Sequence, residues 1–581
     1  MAGCARLVVG LLKSEAGDRL TVQLDRFAEH GGRANPQAMF AIECLVDHQR
    51  LHGFAVLRHT QHSVALTLVV SVDARDGLHG RSSVLFAFLR GDPIWSGLIP
   101  VLAIGGCEPP ILPVKPSGKP NVSESSISQE RRHSDSSQQE LDRLAELAED
   151  VIRRARAAGA SQAEVAASIN TGLSVNVRLG EVETVEHTRD RGFGLTVYFG
   201  QRKGSASTAD LHPDSIQATL DQACAIARYT EADPAAGLAD ASRMATAFPD
   251  LDLWHPWDLD TTQAIELGIA IEDAGRAHAG ISNSDGASVQ VGQGVSVYAN
   301  SHGFVGRERG TAHSLSLALI AGDEDGMQRD YWYDSVRAAG DFMSAKALGD
   351  KAAERTLARM GARSLSTRQC PVLFVPELAR GLIGHLLGAV SGGSLYRRAS
   401  FLLDHVGKQV MPSWMNINEQ PHLQRGLGSG NFDAEGVATS DRSLIEGGVL
   451  ARYVLGSYSA RKLGLESTGN AGGIHNLIVE PGSVDGSRDD FNDMLQRMGT
   501  GLLVTEVMGQ GVSTVTGDYS RGASGFWVEN GQITWPVEGI TIAANLRDMF
   551  TGIVAVGTDV DRRSHLLSGS ILLNRMTVAG E

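Results

Sequence analysis

The sequence predicts an α+β protein: a helix-plus-antiparallel-sheet N-terminal region, a mixed central region, and a C-terminal antiparallel β domain, barrel-like or sandwiched. Three observations predict it. Between residues 138 and 390, segments of helical period alternate with segments of strict apolar/polar alternation. Beyond Leu444 the pattern becomes short alternating runs separated by Gly and Asn. Glycine accounts for 67 of 581 residues, well above the usual ~7%, as many turns and close backbone approaches require.

The elements follow in order. Pro113, Pro116 and Pro120, then Ser123, Ser125, Ser126, Ser128, Ser134, Ser136 and Ser137, give 113–137 the composition of a linker and place a boundary there. Ser137-Gln138-Gln139-Glu140 has capping-box spacing. Leu141, Leu144, Leu147, Ala148, Val151, Ile152 and Ala155 then recur at helical intervals, a stripe that ends before Gly159. Leu173, Val175, Val177 and Leu179 alternate with polar neighbours, and Leu195, Val197 and Phe199 repeat the pattern after Arg191-Gly192-Phe193-Gly194, so two half-buried strands are expected. Pro213 opens a second helix with Ile216, Leu220, Cys224 and Ala227 inward. A third helix is expected over 261–278, strands over 288–298 and 314–320, and a helix over 345–360, with Asn283-Ser284-Asp285-Gly286 as a turn. Past Cys370, 371–375 reads as a strand and 377–390 as an apolar helix. Asn530-Gly531, between Phe526/Val528 and Ile533/Trp535, predicts a type I′ hairpin turn.

Composition excludes several function classes. The net charge is −15, with 12 Lys+Arg against 11 Asp+Glu up to residue 125 and 40 against 56 beyond it. A diffuse basic surface for nucleic acid is therefore not expected. The longest apolar runs, 64–72 and 94–106, fall short of the ~20 residues that span a bilayer, so no membrane anchor is expected. Cys4, Cys44, Cys107, Cys224 and Cys370 form no CxxC pair, which fits a reducing cytosol and supports no cysteine-rich zinc knuckle. His30, His48, His52, His59, His62 and His79 cluster without ligand spacing. Gly426-Leu427-Gly428-Ser429-Gly430 lacks the Lys-Ser/Thr of a P-loop. Arg397-Arg398 and Arg562-Arg563 read as solvated pairs, and Asp258, Asp260, Asp323 and Asp325 fit no calcium loop.

Two late runs carry the most information. Gly517-Asp518-Tyr519-Ser520-Arg521-Gly522-Ala523-Ser524-Gly525-Phe526-Trp527-Val528-Glu529-Asn530-Gly531, with Ser467-Thr468-Gly469-Asn470-Ala471-Gly472-Gly473-Ile474-His475-Asn476 upstream, resembles the PmbA (TldE) branch of the TldD/PmbA metallopeptidase family. The resemblance covers about 138–581. It implies a cytoplasmic subunit that pairs with a TldD-like chain as a heterodimeric zinc metallopeptidase acting on unfolded peptides. Microcin-type precursor maturation, antitoxin degradation and an earlier link to DNA gyrase modulation come with the family. It further implies domains over 126–208, 209–362 and 363–581. Residues 1–125 are left without counterpart, as an extra domain, a disordered stretch or a mis-assigned start, Val122 being a possible GTG codon.

The resemblance also marks what is missing. The catalytic TldD branch binds zinc through a helical HExxxH motif and a distant cysteine. This chain has no His-Glu dipeptide and no cysteine after Cys370. On the segment matching the metal helix, Arg380-Gly381-Leu382-Ile383-Gly384-His385-Leu386-Leu387-Gly388, Ile383 and Gly388 take the histidine places and Gly384 that of the glutamate base. His385 reads as a packing residue. No catalytic or metal-binding residue is expected in this chain, zinc being supplied by the partner. His475, Tyr519 and Arg521 either line a groove for an extended peptide, the Arg holding a carboxylate, or close turns and cap strand ends. A peptidase active by itself and a non-enzymatic peptide-binding module are the alternatives.

Overall fold

The structure is a computed structural model that describes residues 124–323 and 326–580, with side chains from Ser136 onward, and five strands ahead of them. The chain divides into two units, Met1–Lys119 and Pro120–Glu581. In the first, Arg6–Leu12 pairs antiparallel with Arg19–Asp25, and Leu51–Val56, Leu66–Val72 and Phe86–Leu89 form an antiparallel three-stranded sheet. The remaining expectations for 1–125, including the histidine side chains and the start near Val122, lie outside the described residues.

The second unit opens on the helix Glu124–Ala157. It begins well before the expected capping box, and Ser137 lies buried inside it, accepting a hydrogen bond from Arg309. The supposed linker is thus helical from residue 124 onward. Its last fourteen residues contain no Pro or Gly, and helix propagation needs only that no breaker intervenes.

A six-stranded antiparallel sheet follows, in the order Gln328–Val336, Val305–Ala321, Ile281–Asn300, Gln162–Arg178, Glu181–Phe199, Arg202–Thr208. The strands are longer than the alternation alone indicated. Arg191–Gly194 lies within one of them, and the reversal sits at Leu179-Gly180, both at positive φ. Glu272, fully buried on the helix Thr261–Arg276, accepts the amides of Leu179 and Gly180 at 2.9 and 2.8 Å. Asn283–Gly286 is not a turn either. It lies inside Ile281–Asn300 near a register irregularity, with Gly286 at φ 100°. Turn-forming residues serve a bulge as readily as a reversal because both need one left-handed residue.

One sheet face is apolar. Val165, Ile169, Leu195 and Val297 pack against Leu144 of the first helix and Leu220 of Pro213–Tyr229. Val175, Val177 and Leu317 pack against Ile271 and against Leu348 of Ala345–Ala358. Strand alternation sends the intervening residues to the other face. That face carries Ala166, Ser168, Gly192, Gly194, Gly292, Gly294, Ser296, Gly306, Glu308 and Gly310, all small or polar.

The C-terminal sheet closes into a barrel. Arg368–Phe374, Gly501–Met508, Asp518–Glu529, Gln532–Asn545 and Ile571–Ala579 pair in sequence, and the last returns to the first. Asn530 and Gly531, at φ 51° and 75°, make the expected I′ hairpin. The helix Pro376–Val390 packs Ala379, Leu382, Ile383 and Leu386 into the barrel core.

The pair Arg562-Arg563 corrects another expectation. Arg562 is exposed, but Arg563 ion-pairs with Asp561 and Glu377 and lies over the rings of Trp332 and Tyr333. It therefore ties the edge strand of the six-stranded sheet to the barrel domain. Arg397 and Arg398 are exposed. No described helix is long and apolar enough to cross a membrane.

Candidate functional site

The polar face of the six-stranded sheet forms the floor of a cleft. Its largest chamber, about 790 Å³, has Ala166, Ser168, Gly192, Gly194 and Ser296 beneath, with Tyr298, Phe432 and Glu308 at the sides. Two smaller hollows, about 400 and 210 Å³, continue from Glu308 along Gly292–Gly294 and Arg307–Arg309. Glu308 borders all three. Small residues make the hollow possible: a methyl on Gly306 would meet the Phe432 ring at 2.4 Å, so that ring lies directly on the strand.

Opposite the sheet stand loops of the barrel domain, and His475 is the functional candidate that reaches the cleft. A methyl built on Gly430 would lie 3.4 Å from Glu308 Oε1 and 3.6 Å from His475 Nε2, so the two side chains flank the same point. His475 is held from behind. Its Nδ1 and its backbone amide both bond Glu419 Oε1, at 3.1 and 2.8 Å. Asn470 donates to the same oxygen at 2.8 Å, and Arg452 pairs with the other. Burial alone would raise the Glu419 carboxyl, but the His475 bonds and the Arg452 charge hold it below the usual range, so it stays ionised. An ionised carboxylate only accepts, so Nδ1 donates to Glu419 and the Nε2 edge of the ring is left toward the cleft. Asn470 and His475 of the Ser467–Asn476 run thus converge on Glu419, while Ser467 and Thr468 bond the Leu455 carbonyl and Asn476 bonds Gln420 and Ser429.

Glu308 contrasts with Glu419. It makes no hydrogen bond or ion pair to a described residue, and burial pushes its carboxyl up against the pull of His475 and Arg337. Arg337 spends its guanidinium on the carbonyls of Thr311, Gly426 and Leu427 at 2.8, 3.2 and 2.9 Å.

Tyr519 and Arg521 lie elsewhere, on the barrel strand Asp518–Glu529. Tyr519 is buried, its ring edge-on to His385 at 5.8 Å. Arg521 contacts the Val507 carbonyl at 3.5 Å. Burial, then the Arg521 charge, lowers the pKa of His385. The structure therefore brings His385, Tyr519 and Arg521 together and places His475 with Glu308.

Comparison with known proteins gives this arrangement a context. Residues 163–227, 254–360 and 367–580 match the models of domain 1, the central domain and the C-terminal domain of the PmbA/TldA metallopeptidases. The chain belongs to the PmbA/TldD metallopeptidase family. Metalloprotease PmbA of Escherichia coli O157:H7 is 51% identical over 420 residues, covering 72% of this chain and 92% of that protein. A putative modulator of DNA gyrase from Bacteroides thetaiotaomicron superposes with a TM-score of 0.71 at 27% identity, over 75% of this chain and 98% of that one. TldE from Thermococcus kodakarensis shares the fold, with a TM-score of 0.64 at 19% identity, over 75% and 100%.

The sequence resemblance aligns the TldD metal helix with Pro376–Val390 of this chain. Ile383 is buried in the barrel core, while Gly384 and Gly388 offer no donor. His385 is one imidazole packed on Tyr519 beside a cation. Zinc needs three protein donors at a hydrolytic site, so this set does not fit it. Sequence reading passed over Glu308 and Glu419. The signal for Glu308 was its setting, Gly306-Arg307-Glu308-Arg309-Gly310, an acid between glycines at strand spacing. Glu419 had none, since its partners arrive from distant loops.

Proposed function

We propose that this chain is the peptide-holding subunit of a heteromeric, cytoplasmic TldD/TldE-type metallopeptidase, whose TldD-like partner supplies zinc, nucleophilic water and base. The reading is supported by Ile383, Gly384 and Gly388 at the places that the sequence resemblance aligns with the zinc ligands and base, within a chain that matches all three family domains. Among the described residues no three His, Cys, Asp or Glu side chains converge as a metal site would require. A chain that keeps the framework and loses the ligands contributes surface to the reaction. The polar cleft, open and floored by backbone, suits an unfolded segment such as a microcin-type precursor or an antitoxin, because a strand floor lets an extended backbone lie close. Chemically, this chain's residues bind and orient, and exclude folded domains by size.

The test is reconstitution. Neither this chain nor a TldD-like partner alone should cleave an unfolded peptide at a useful rate, whereas the mixture should, and chelation should abolish it. Persistent cleavage by the mixture after both histidines of the partner's HExxxH are replaced would place the chemistry in this chain and overturn the proposal.

A further inference from the structure

We infer that Glu308 forms the cation-binding subsite of the cleft, accepting an ammonium or guanidinium group of an extended peptide whose backbone lies over Gly192 and Gly194. The inference rests on the peptide-holding role proposed above and names the chemistry that this role selects.

The first support is an unspent carboxylate. Glu308 borders every hollow of the cleft and makes no hydrogen bond or ion pair to a described residue. A carboxylate drawn out of water is costly unless something pairs with it. The neighbouring cations do not fill that need. Arg337 is committed to three backbone carbonyls, and His475 bonds Glu419 and makes no hydrogen bond or ion pair to Glu308. Arg191 also lines the largest chamber but makes no ion pair with Glu308, on which the charges that act are those of His475 and Arg337. Asp433, the other carboxylate lining the largest chamber, already accepts the amides of Glu435, Val437 and Ala471. Glu308 is therefore the carboxyl of that chamber left without a partner for an incoming group.

The second support is shape. The floor is backbone: a methyl built on Gly194 meets nothing nearer than the Ala166 carbonyl at 3.8 Å, so the space above it is open. Tyr298 and Phe432 border the same chamber as Glu308. Aromatic walls beside a carboxylate suit a long cationic side chain, which buries its aliphatic stem while its head pairs with the acid. A metal ion suits the site less, since one free carboxylate and one imidazole fall short of a ligand set. A peptide carboxylate would meet Glu308 as a like charge.

The experiment uses the full chain with its TldD-like partner and four fluorescent peptides: a lysine peptide, its norleucine analogue, and the N-acetylated form of each. Competition binding to the complex should favour the cationic peptide by about tenfold or more, roughly 1.4 kcal/mol. Loss of the preference on acetylation identifies the amino terminus as the cation, and loss only on the norleucine change identifies the side chain. Glu308→Gln should bring the ratio to about one. Gly194→Leu, whose side chain projects into open space, should weaken all four peptides while leaving the melting temperature within a few degrees of wild type. Equal affinity for all four peptides in the wild type, or a charge preference that survives Glu308→Gln, would overturn the subsite. A complex that cleaves peptides but ignores their charge would sink only this inference. A complex whose cleavage survives loss of the partner's zinc ligands would sink the reading beneath it.

Discussion

Glu419 is a buried carboxylate that organises the side chains around it. Its two oxygens gather His475, Asn470 and Arg452, and the gathering directs the free edge of one imidazole toward Glu308. Asp433 is the opposite case. Burial holds its carboxyl at about 6 despite three backbone donors. The sign follows from linkage. The folded chain takes up this proton near pH 6 and the unfolded chain only near its ordinary value of 3.8, so Asp433 adds stability as pH falls through that window and withdraws it as pH rises through 6. Between pH 7 and pH 5 the gain should be about 1 kcal/mol. Urea unfolding at both pH values, compared with Asp433→Asn, isolates this group from the depressed carboxylates, which act in the other direction. An equal pH response in the two proteins would contradict the assignment.

At the scale of elements, the barrel explains the glycines of the Gly517–Gly531 run. A methyl on Gly525 would stand 1.9 Å from the Leu503 carbonyl, where the register slips between Asp518–Glu529 and both of its neighbours. The slips let the strand bend, and the bend brings neighbouring backbones closer than a side chain allows. Gly525→Ala should therefore cost several kcal/mol, more than the ~1 kcal/mol range of strand propensity, because the obstacle is backbone that cannot rotate away. Thermal unfolding checks it, and a melting point within a degree of wild type would exclude the clash. The Pro213 and Asn530-Gly531 signals gave the right elements because each acts through its own φ angles. The Ser137 and Asn283–Gly286 signals misled because the same residues are tolerated inside a long helix and at a bulge.

For the whole molecule, Arg563 is the joint between the open sheet and the barrel. It reaches Asp561 at 2.8 Å and Glu377 at 3.3 Å and lies over Trp332 at 4.1 Å. Arg563→Ala strips a charged partner from Asp561, leaving Arg380 at 3.4 Å and the backbone amide of residue 563 at 2.9 Å, and should destabilise the chain by about 3 kcal/mol. Denaturant titration should show an earlier transition, and an unchanged midpoint would show the joint to be idle. The cleft should loosen with it, since its floor belongs to the sheet and its roof to the barrel domain.

The sequence by itself determined the fold class, the helices Pro213–Tyr229 and Pro376–Val390, the I′ hairpin and the family. These rest on residues a few positions apart, whose periodicity and dihedral preferences act locally. Only the tertiary structure decided that the barrel closes, that Glu272 pins the Leu179-Gly180 reversal, that Arg563 is an interdomain joint, and that Glu308 and His475 flank Gly430. Each of those depends on backbones meeting through long-range strand pairing, and no local pattern records which carboxylate will find a partner and which will be left open to a ligand.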